Sequence, residues 1–342
     1  KLSFGGEWTT DGLIVSAQRR DEDQWQLWHI DTTNGIARRL TNDLNKYDGV
    51  SMSADGHSIA TIQSVTLMNI WLLSTSEQPE AKQITSGASI YYDISFTPDS
   101  KLLYSTVASG FADIWRTDVD GENRQQLTKD AGSNHSPVAS PDGRFLIFHS
   151  NRSGTYYLYR TRADGSNPQR LTTETDEEAT ADISPDGKTV VFAFGPLKRV
   201  SIEGGMIVLL NNKSNYAPVI SPDGKLVAAW HANDFTNGLR IALFSMEKSG
   251  EPLKVFDVPL REAFGDRIRW TKDGRALLYV NTRDGVSNIW RQPIDGSALT
   301  QVTNFKTERI FSFALTPDGR QLACARGTKA QDVVLFSDEL KR

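Results

Sequence analysis

Cysteine is almost missing from this chain, and so are the residue patterns from which most catalytic centres are assembled. The single thiol, Cys324, excludes an intrachain disulfide. Five histidines are present (His29, His57, His135, His149 and His231), none in an H-x-H, H-E-x-x-H or Cys/His spacing suited to zinc. No G-x-S-x-G nucleophile elbow occurs, which removes the local signature of an α/β-hydrolase. No apolar stretch approaches the roughly 18 residues of a membrane helix, and no signal-peptide pattern is found. Runs of Lys or Arg are also missing; with a formal charge of −4 the domain lacks the concentrated basic surface that nucleic acid requires. The remaining charges are scattered, as on a solvated surface.

What the chain has is repetition. Eight copies of one turn run through it: Thr9-Thr10-Asp11-Gly12, Ser53-Ala54-Asp55-Gly56, Thr97-Pro98-Asp99-Ser100, Ser140-Pro141-Asp142-Gly143, Ser184-Pro185-Asp186-Gly187, Ser221-Pro222-Asp223-Gly224, Thr271-Lys272-Asp273-Gly274 and Thr316-Pro317-Asp318-Gly319. Their aspartates are 44, 44, 43, 44, 37, 50 and 45 residues apart. Proline presets the second position of such a turn, Asp suits the third and Gly the fourth. Three residues before each aspartate stands an apolar residue (Trp8, Met52, Phe96, Ala139, Ile183, Ile220, Trp270, Leu315), and four residues after it an aliphatic one, from Val15 to Leu322. Both positions read as core. Cys324 aligns with Ala17, Thr61, Ser105, Phe148, Phe192, Ala229 and Tyr279, so it reads as a small buried hydrophobe.

The second half of each repeat holds a Leu/Ile-aromatic pair (Leu27-Trp28, Ile70-Trp71, Ile114-Trp115, Leu158-Tyr159, Ile289-Trp290), then a Gly-bearing turn, then a short strand ending in Thr. Those last strands are Arg39-Leu40-Thr41, Gln83-Ile84-Thr85, Gln126-Leu127-Thr128, Arg170-Leu171-Thr172 and Gln301-Val302-Thr303. Repeats five and six are degenerate but still count as blades. A period near 44 filled with strands predicts an all-β fold, an eight-bladed β-propeller of four-stranded antiparallel blades, with residues 1–342 as a single domain. The eighth repeat runs out of chain before its outer strand, so the ring is expected to close by joining the ends, with Leu2 to Phe4, or residues preceding them, paired to Val333 to Phe336. Beginning inside the repeat at Lys1, without a start methionine, the sequence reads as a piece of a larger protein.

The Ser-Pro-Asp-Gly turn, Ile-Trp strand and Gln/Arg-Leu-Thr strand together resemble the TolB-type, tryptophan-aspartate-like propeller family over the whole chain. The stretch from Leu299 to Lys306 through Ile310-Phe311-Ser312-Phe313 to Asp332-Val333-Val334-Leu335 is similar to the ends of propellers carried by large bacterial signalling proteins. There the propeller follows a serine/threonine kinase or winged-helix module, often with a membrane helix between. The resemblance implies a non-catalytic sensor or interaction domain binding a protein or a small molecule, on the extracytoplasmic side if tethered behind such a helix. A soluble periplasmic TolB-like scaffold is the alternative, and a hydrolase or lyase at the channel mouth ranks third. No cofactor is implied. Fold alone confers none of these roles.

Strict alternation along each inner strand puts positions four and six before the aspartate on the channel wall. The charged members of that set are Glu7, Asp93, Asp182, Arg267 and Arg269, read either as ligand groups or as ion networks filling the tunnel. Seven residues before the aspartate the ring mouth reads Phe4, Asp48, Tyr92, His135, Ala179, Tyr216, Asp266 and Phe311, an apolar and polar mixture of the kind ligand sites use. His135 with Asp48, Asp93 and Asp182 is the nearest approach to a catalytic group. Glu174, Asp176, Glu177 and Glu178 form an acidic loop beside this rim that either attracts Ca²⁺ or is merely solvated.

Overall fold

Every one of the eight turns is held by the same side-chain bond: the Ser or Thr hydroxyl donates to Oδ1 of the aspartate at 2.5 to 2.8 Å. In seven of them the fourth residue donates its N–H to the first residue's carbonyl at 2.8 or 2.9 Å. That fourth residue has φ between 62° and 74°, which is why six are glycine and Ser100 is the exception. The carboxylate also accepts the next-but-one N–H, as Asp186 does from Lys188. These donors, the Ser184 hydroxyl foremost, hold Asp186 below the usual carboxylate range, and Asp142 and Asp223 behave alike.

The computed structural model describes residues 2–19, 25–43, 45–75, 81–87, 89–107, 111–129, 131–173, 180–232, 238–258 and 268–337. The first repeat forms β1 (Leu2–Trp8), β2 (Gly12–Ala17), β3 (Gln26–Asp31) and β4 (Ala37–Arg39), one sheet in that order. The second supplies β5 (Lys46–Met52), β6 (Ser58–Ser74) and β7 (Ala81–Gln83). Two regular sheets follow: β8 (Tyr91–Phe96), β9 (Leu102–Val107), β10 (Ala112–Thr117) and β11 (Gln125–Gln126), then β12 (Asn134–Ala139), β13 (Phe145–Ser150), β14 (Tyr157–Arg162) and β15 (Gln169–Arg170). Repeats five and six give β16 (Thr180–Ile183), β17 (Thr189–Ser201), β18 (Val208–Ile220), β19 (Leu226–Ala232), β20 (Arg240–Ser245) and β21 (Lys254–Phe256). The seventh gives β22 (Arg269–Trp270), β23 (Ala276–Arg283), β24 (Val286–Pro293) and β25 (Thr300–Gln301), and the eighth β26 (Arg309–Leu315) and β27 (Gln321–Ser337).

The outer strands are fastened by a second recurrent device. Thr41, Thr85, Thr128, Thr172 and Thr303 each accept, on Oγ1, the backbone N–H of the aliphatic residue in the third strand, at 2.8 to 3.1 Å. Four of those hydroxyls donate in turn to the preceding side chain: Gln26, Asn69, Asp113 and Asn288. This explains why the short strands end in Thr. A two- or three-residue strand has few ladder bonds of its own, and the hydroxyl adds a donor and an acceptor.

The described strands form six sheets, where the repeats predict eight separate blades. Two departures account for the difference. In repeats five and six, β18 runs without a break from the outer strand of one to the inner strand of the next, joining both into one six-stranded sheet. Ile202 N–H reaches Lys188 O at 2.9 Å across the two ends of β17, so that strand folds back on itself at Gly195. Repeats two and eight depart further. β6 and β27 pair antiparallel along their whole length, from Gln321↔Ser74 to Ser337↔Ser58, giving the order β26-β27-β6-β5 with β7 on β6. Each crosses from one blade's second strand to the other blade's third.

The stretch between second and third strands gives the reason. Ser105 pairs with Ile114 nine positions on, and His149 with Leu158 likewise, leaving room for a loop. The equivalent residues in repeats two and eight, Ile62 and Ile70, Ala325 and Val333, are eight apart, a spacing a tight hairpin also spans, as the two-residue loop between Arg283 and Val286 shows, so what differs is the turn chemistry. Between Ile62 and Ile70 the sequence Gln-Ser-Val-Thr-Leu-Met-Asn has no Gly or Pro to turn the chain. At the crossing sits Gly327, where a Cβ would lie 1.9 Å from Leu67 O.

Leu2 to Phe4 therefore do not pair with Val333 to Phe336: Leu2 pairs with Ala17 in its own sheet, and Val333 to Phe336 pair with Ile59 to Ile62. Inner strands β26, β8, β12, β16, β18 and β22 touch in succession, and β24 touches β26, returning the series to its start. The first sheet packs against β5. Trp8, expected in the core, is 68% exposed, while the aligned Trp270 is buried between β18 and β22. Cys324 is buried in β27, its thiol pushed up to about 12 by desolvation.

Ser184→Ala removes the hydroxyl that binds Asp186 and accepts Thr189 N–H; the expected loss is about 1 kcal/mol at neutral pH, read from urea denaturation. A carboxylate whose folded pKa is depressed contributes in full above its unfolded value and loses that contribution as the pH falls through the folded one. The deficit of Ser184→Ala should accordingly shrink as the pH drops below 3.8. Gly327→Ala forces the β6 and β27 backbones apart at their crossing; a loss of about 1–3 kcal/mol is expected, with faster hydrogen exchange at Leu67 and Met68.

Candidate functional site

The inner strands do not alternate strictly. Four of them carry a bulge at the same repeat position, between Asp48 and Ser51, Tyr92 and Ser95, His135 and Val138, and Tyr216 and Val219. Within it the residue six before the turn aspartate has positive φ: 69° at Gly49, 46° at Asp93, 57° at Ser136 and 47° at Ala217. One extra residue reverses the parity of all that precedes it. Tyr92 thus shares a face with Ser95, both opposite β9 residues of one face, while Tyr91 and Ile94 join Leu102 and Tyr104 in the core.

The bulge also turns polar groups toward the neighbouring strand. Ile94 N–H donates to Ser312 Oγ on β26 at 3.1 Å, and Ser95 Oγ donates to Pro137 O on β12 at 2.6 Å. Asp93 accepts from Ser136 Oγ at 3.0 Å. Farther round, Asp182 accepts Ile220 N–H at 2.7 Å, and Trp270 Nε1 donates to Val219 O at 3.1 Å. Arg269 spans from β22 to Ile94 O on β8 at 3.2 Å, passing Phe313 of β26 with its guanidinium carbon 5.8 Å from the ring centre. Asp93, Asp182 and Arg269 are thus fasteners between inner strands.

The remaining expected residues separate. Glu7 is half-buried on β1, outside the succession of six inner strands, and Asp48 on β5 pairs with Lys46 at 2.9 Å. The structure therefore does not bring Asp48 together with His135, Asp93 and Asp182. Asp266, Arg267 and Ala179, and the acidic group Glu174, Asp176, Glu177 and Glu178, lie outside the described residues; nor is anything described of the Phe4 side chain. Among the described residues no group of three or more His, Cys, Asp or Glu side chains is placed to hold a metal ion.

Two expected residues do meet. Tyr92 and His135 pack edge to face with ring centres 5.7 Å apart, at the end of the strands opposite the Asp-Gly turns. Tyr156, which the repeat pattern did not single out, extends this group: it lies 6.2 Å from His135 and stacks on His149 at 4.6 Å. Tyr216 instead meets Phe194, also missed, at 5.5 Å. Tyr156 sits in the loop between second and third strands, which varies among the repeats, so no periodic signal marks it. Beneath the cluster, Asn134 Oδ1 accepts from Ser150 Oγ and Arg152 Nη2 at 2.8 and 2.9 Å, and Arg152 lies over Phe148 and Tyr159. A cavity of about 370 Å³ lies elsewhere, on the β12–β15 sheet, where Arg160 is already engaged by Glu203, Gln169 and Ile202 O.

Residues 107–328 match the Tricorn protease N-terminal beta propeller domain. The chain belongs to that propeller family. Residues 7–196 also match the dipeptidyl peptidase IV N-terminal region. No curated protein sequence matches significantly. Among solved structures the chain is similar to a TolB-type protein from Agrobacterium tumefaciens, with TM-score 0.62 and 17% identity over 77% of this chain and 99% of that one. TolB from Acinetobacter baumannii gives 0.57 and 16%, covering 96% and 79%, and a chain of the nidogen/laminin complex 0.58 and 12%, covering 72% and 97%. These likenesses show a TolB-like β-propeller fold. No helix among the described residues is long and apolar enough to cross a membrane.

Asp182→Ala leaves Ile220 N–H without its acceptor. It should lower stability by about 1–3 kcal/mol, and the Ile220 amide should exchange faster, while the secondary structure by circular dichroism is retained.

Proposed function

We propose that this propeller is a non-catalytic binding domain, a sensor or interaction module, with its ligand or partner seated at the Tyr92–His135–Tyr156 end of the inner strands. The observation that carries the reading is the division of labour among the polar groups. Asp93, Asp182 and Arg269, which a channel-mouth enzyme would need for acid, base or charge stabilisation, are engaged in bonds between strands. The aromatic and imidazole rings at the mouth are half-buried in a cluster of their own. Rings of this kind offer a flat apolar contact with a polar edge, which suits a sugar face, a peptide end or a side chain of a partner.

The reading extends to context. The domain belongs to a larger bacterial signalling protein, kinase or winged-helix in type, and lies on the extracytoplasmic side behind a membrane helix; the gene sequence upstream of Lys1 tests this directly. A periplasmic TolB-like scaffold is the second reading, favoured by the likeness to the two TolB structures.

A thermal-shift panel of short peptides and oligosaccharides tests the site. At least one class should raise the midpoint of the wild-type chain and fail to raise that of Tyr92→Ala, whose own unliganded midpoint stays within a few degrees. Turnover of ester, peptide or glycoside substrates that disappears in His135→Ala would overturn the non-catalytic reading.

A further inference from the structure

The sheet built from β5, the first half of β6 and the second half of β27 has an edge that no described strand fills. β26 pairs with β27 only from Leu322 to Gly327. Beyond Gly327, β27 has β6 on one side and no described strand on the other. Register identifies what this edge is. In the third repeat Tyr92 pairs with Ser105 and Ser105 with Ile114; in this sheet Asp48 pairs with Ile62 and Ile62 with Val333. Val333 therefore occupies the place of Ile114, and Asp332 that of Asp113.

At Asp113 and Ile114 the outer strand Gln126-Leu127-Thr128 is gripped by four bonds. Ile114 N–H donates to Thr128 Oγ1 at 2.9 Å, and Ile114 O accepts Leu127 N–H at 2.8 Å. The Asp113 carboxylate accepts Thr128 Oγ1 at 2.8 Å and Gln126 Nε2 at 3.0 Å. The same groups recur at Asp332 and Val333, exposed. The apolar residues here are uncovered too: Val333 is 75% exposed and Leu335 67%, beside a half-exposed Ile62 on the paired strand. Among the described residues the chain's own strands of this type are placed elsewhere, on β3, β6, β10, β14 and β24.

We propose that the β27 edge from Thr328 to Ser337 is a docking site for an extended segment of a partner protein with the pattern Gln-aliphatic-Thr, added as an antiparallel outer strand. Main-chain bonds to Val333 and Leu335 supply the pairing, and the Asp332 carboxylate selects Gln and Thr at their two positions. This site is distinct from the aromatic ring mouth and does not depend on the binding role assigned there.

A fluorescent peptide with the sequence of residues 123–129 (Asn-Arg-Gln-Gln-Leu-Thr-Lys) tests the proposal on the whole chain by anisotropy and hydrogen exchange. Saturable binding with slowed exchange at Val333 and Leu335 is expected, weakened about tenfold by Thr→Val at the peptide's sixth position and similarly by Asp332→Ala in the chain. The peptide variant is read against the wild-type chain, so the outcome does not depend on how Asp332→Ala folds. Absence of binding at millimolar peptide, or binding indifferent to the Thr→Val change, overturns the proposal. So does protection of the edge that appears without peptide as the chain dimerises in sedimentation, since a second copy then fills it.

Discussion

The antiparallel pairing of β6 with β27 is the constraint on which the rest of the arrangement depends. It brings residues 58–74 against residues 321–337 in unbroken register. Through it the eighth repeat obtains its third strand and, via β7, its outer strand, both from sequence some 240 to 260 residues earlier. The inner strands can then meet in succession from β26 round to β22. Without that pairing β26 and β27 are a bare hairpin, and two-stranded hairpins are marginal in water.

The fold was legible in the sequence wherever one repeat determines its own structure. The Ser/Thr-Asp-Gly turns are closed by bonds spanning two to five residues, so the local sequence fixes them. The terminal Thr of each outer strand was visible as a pattern, although its purpose, receiving the third strand's N–H, was not. What could not be read is whether the chain turns back between second and third strands. Residues 63–69, between Ile62 and Ile70, hold no Gly or Pro to reverse the chain, and a period count passes over that lack while a hairpin does not. The resulting exchange between repeats two and eight is a non-local choice, invisible to reasoning one repeat at a time.

The candidate site was half legible for a related reason. Counting in twos down the inner strand fails at the bulge, where Asp93, Ser136 and Ala217 take left-handed conformations that only Gly49 advertises by its identity. Aligning the residues by repeat still found Tyr92 and His135, because both lie at one repeat position. It could not find Tyr156 or Phe194, which come from loops and turns of differing length. Nor could it tell that Asp93 and Asp182 face neighbouring backbone and hydroxyl groups; a carboxylate in a sequence shows its charge but not its partner.

The crossing of β6 and β27 also bears on how the chain is made. During synthesis β6 emerges early, and its partner is completed only when residue 337 leaves the ribosome. For that interval the Met68-Ile70-Leu72 face, later buried with Ala323 and Ala325, lacks the neighbouring strand that continues it. Sequence-distant pairing of this kind slows folding and lengthens the exposure of strand edges. The intervening sheets, whose hairpins are local, are free to form first. The last blade is therefore assembled last, from the second and the final repeats at once.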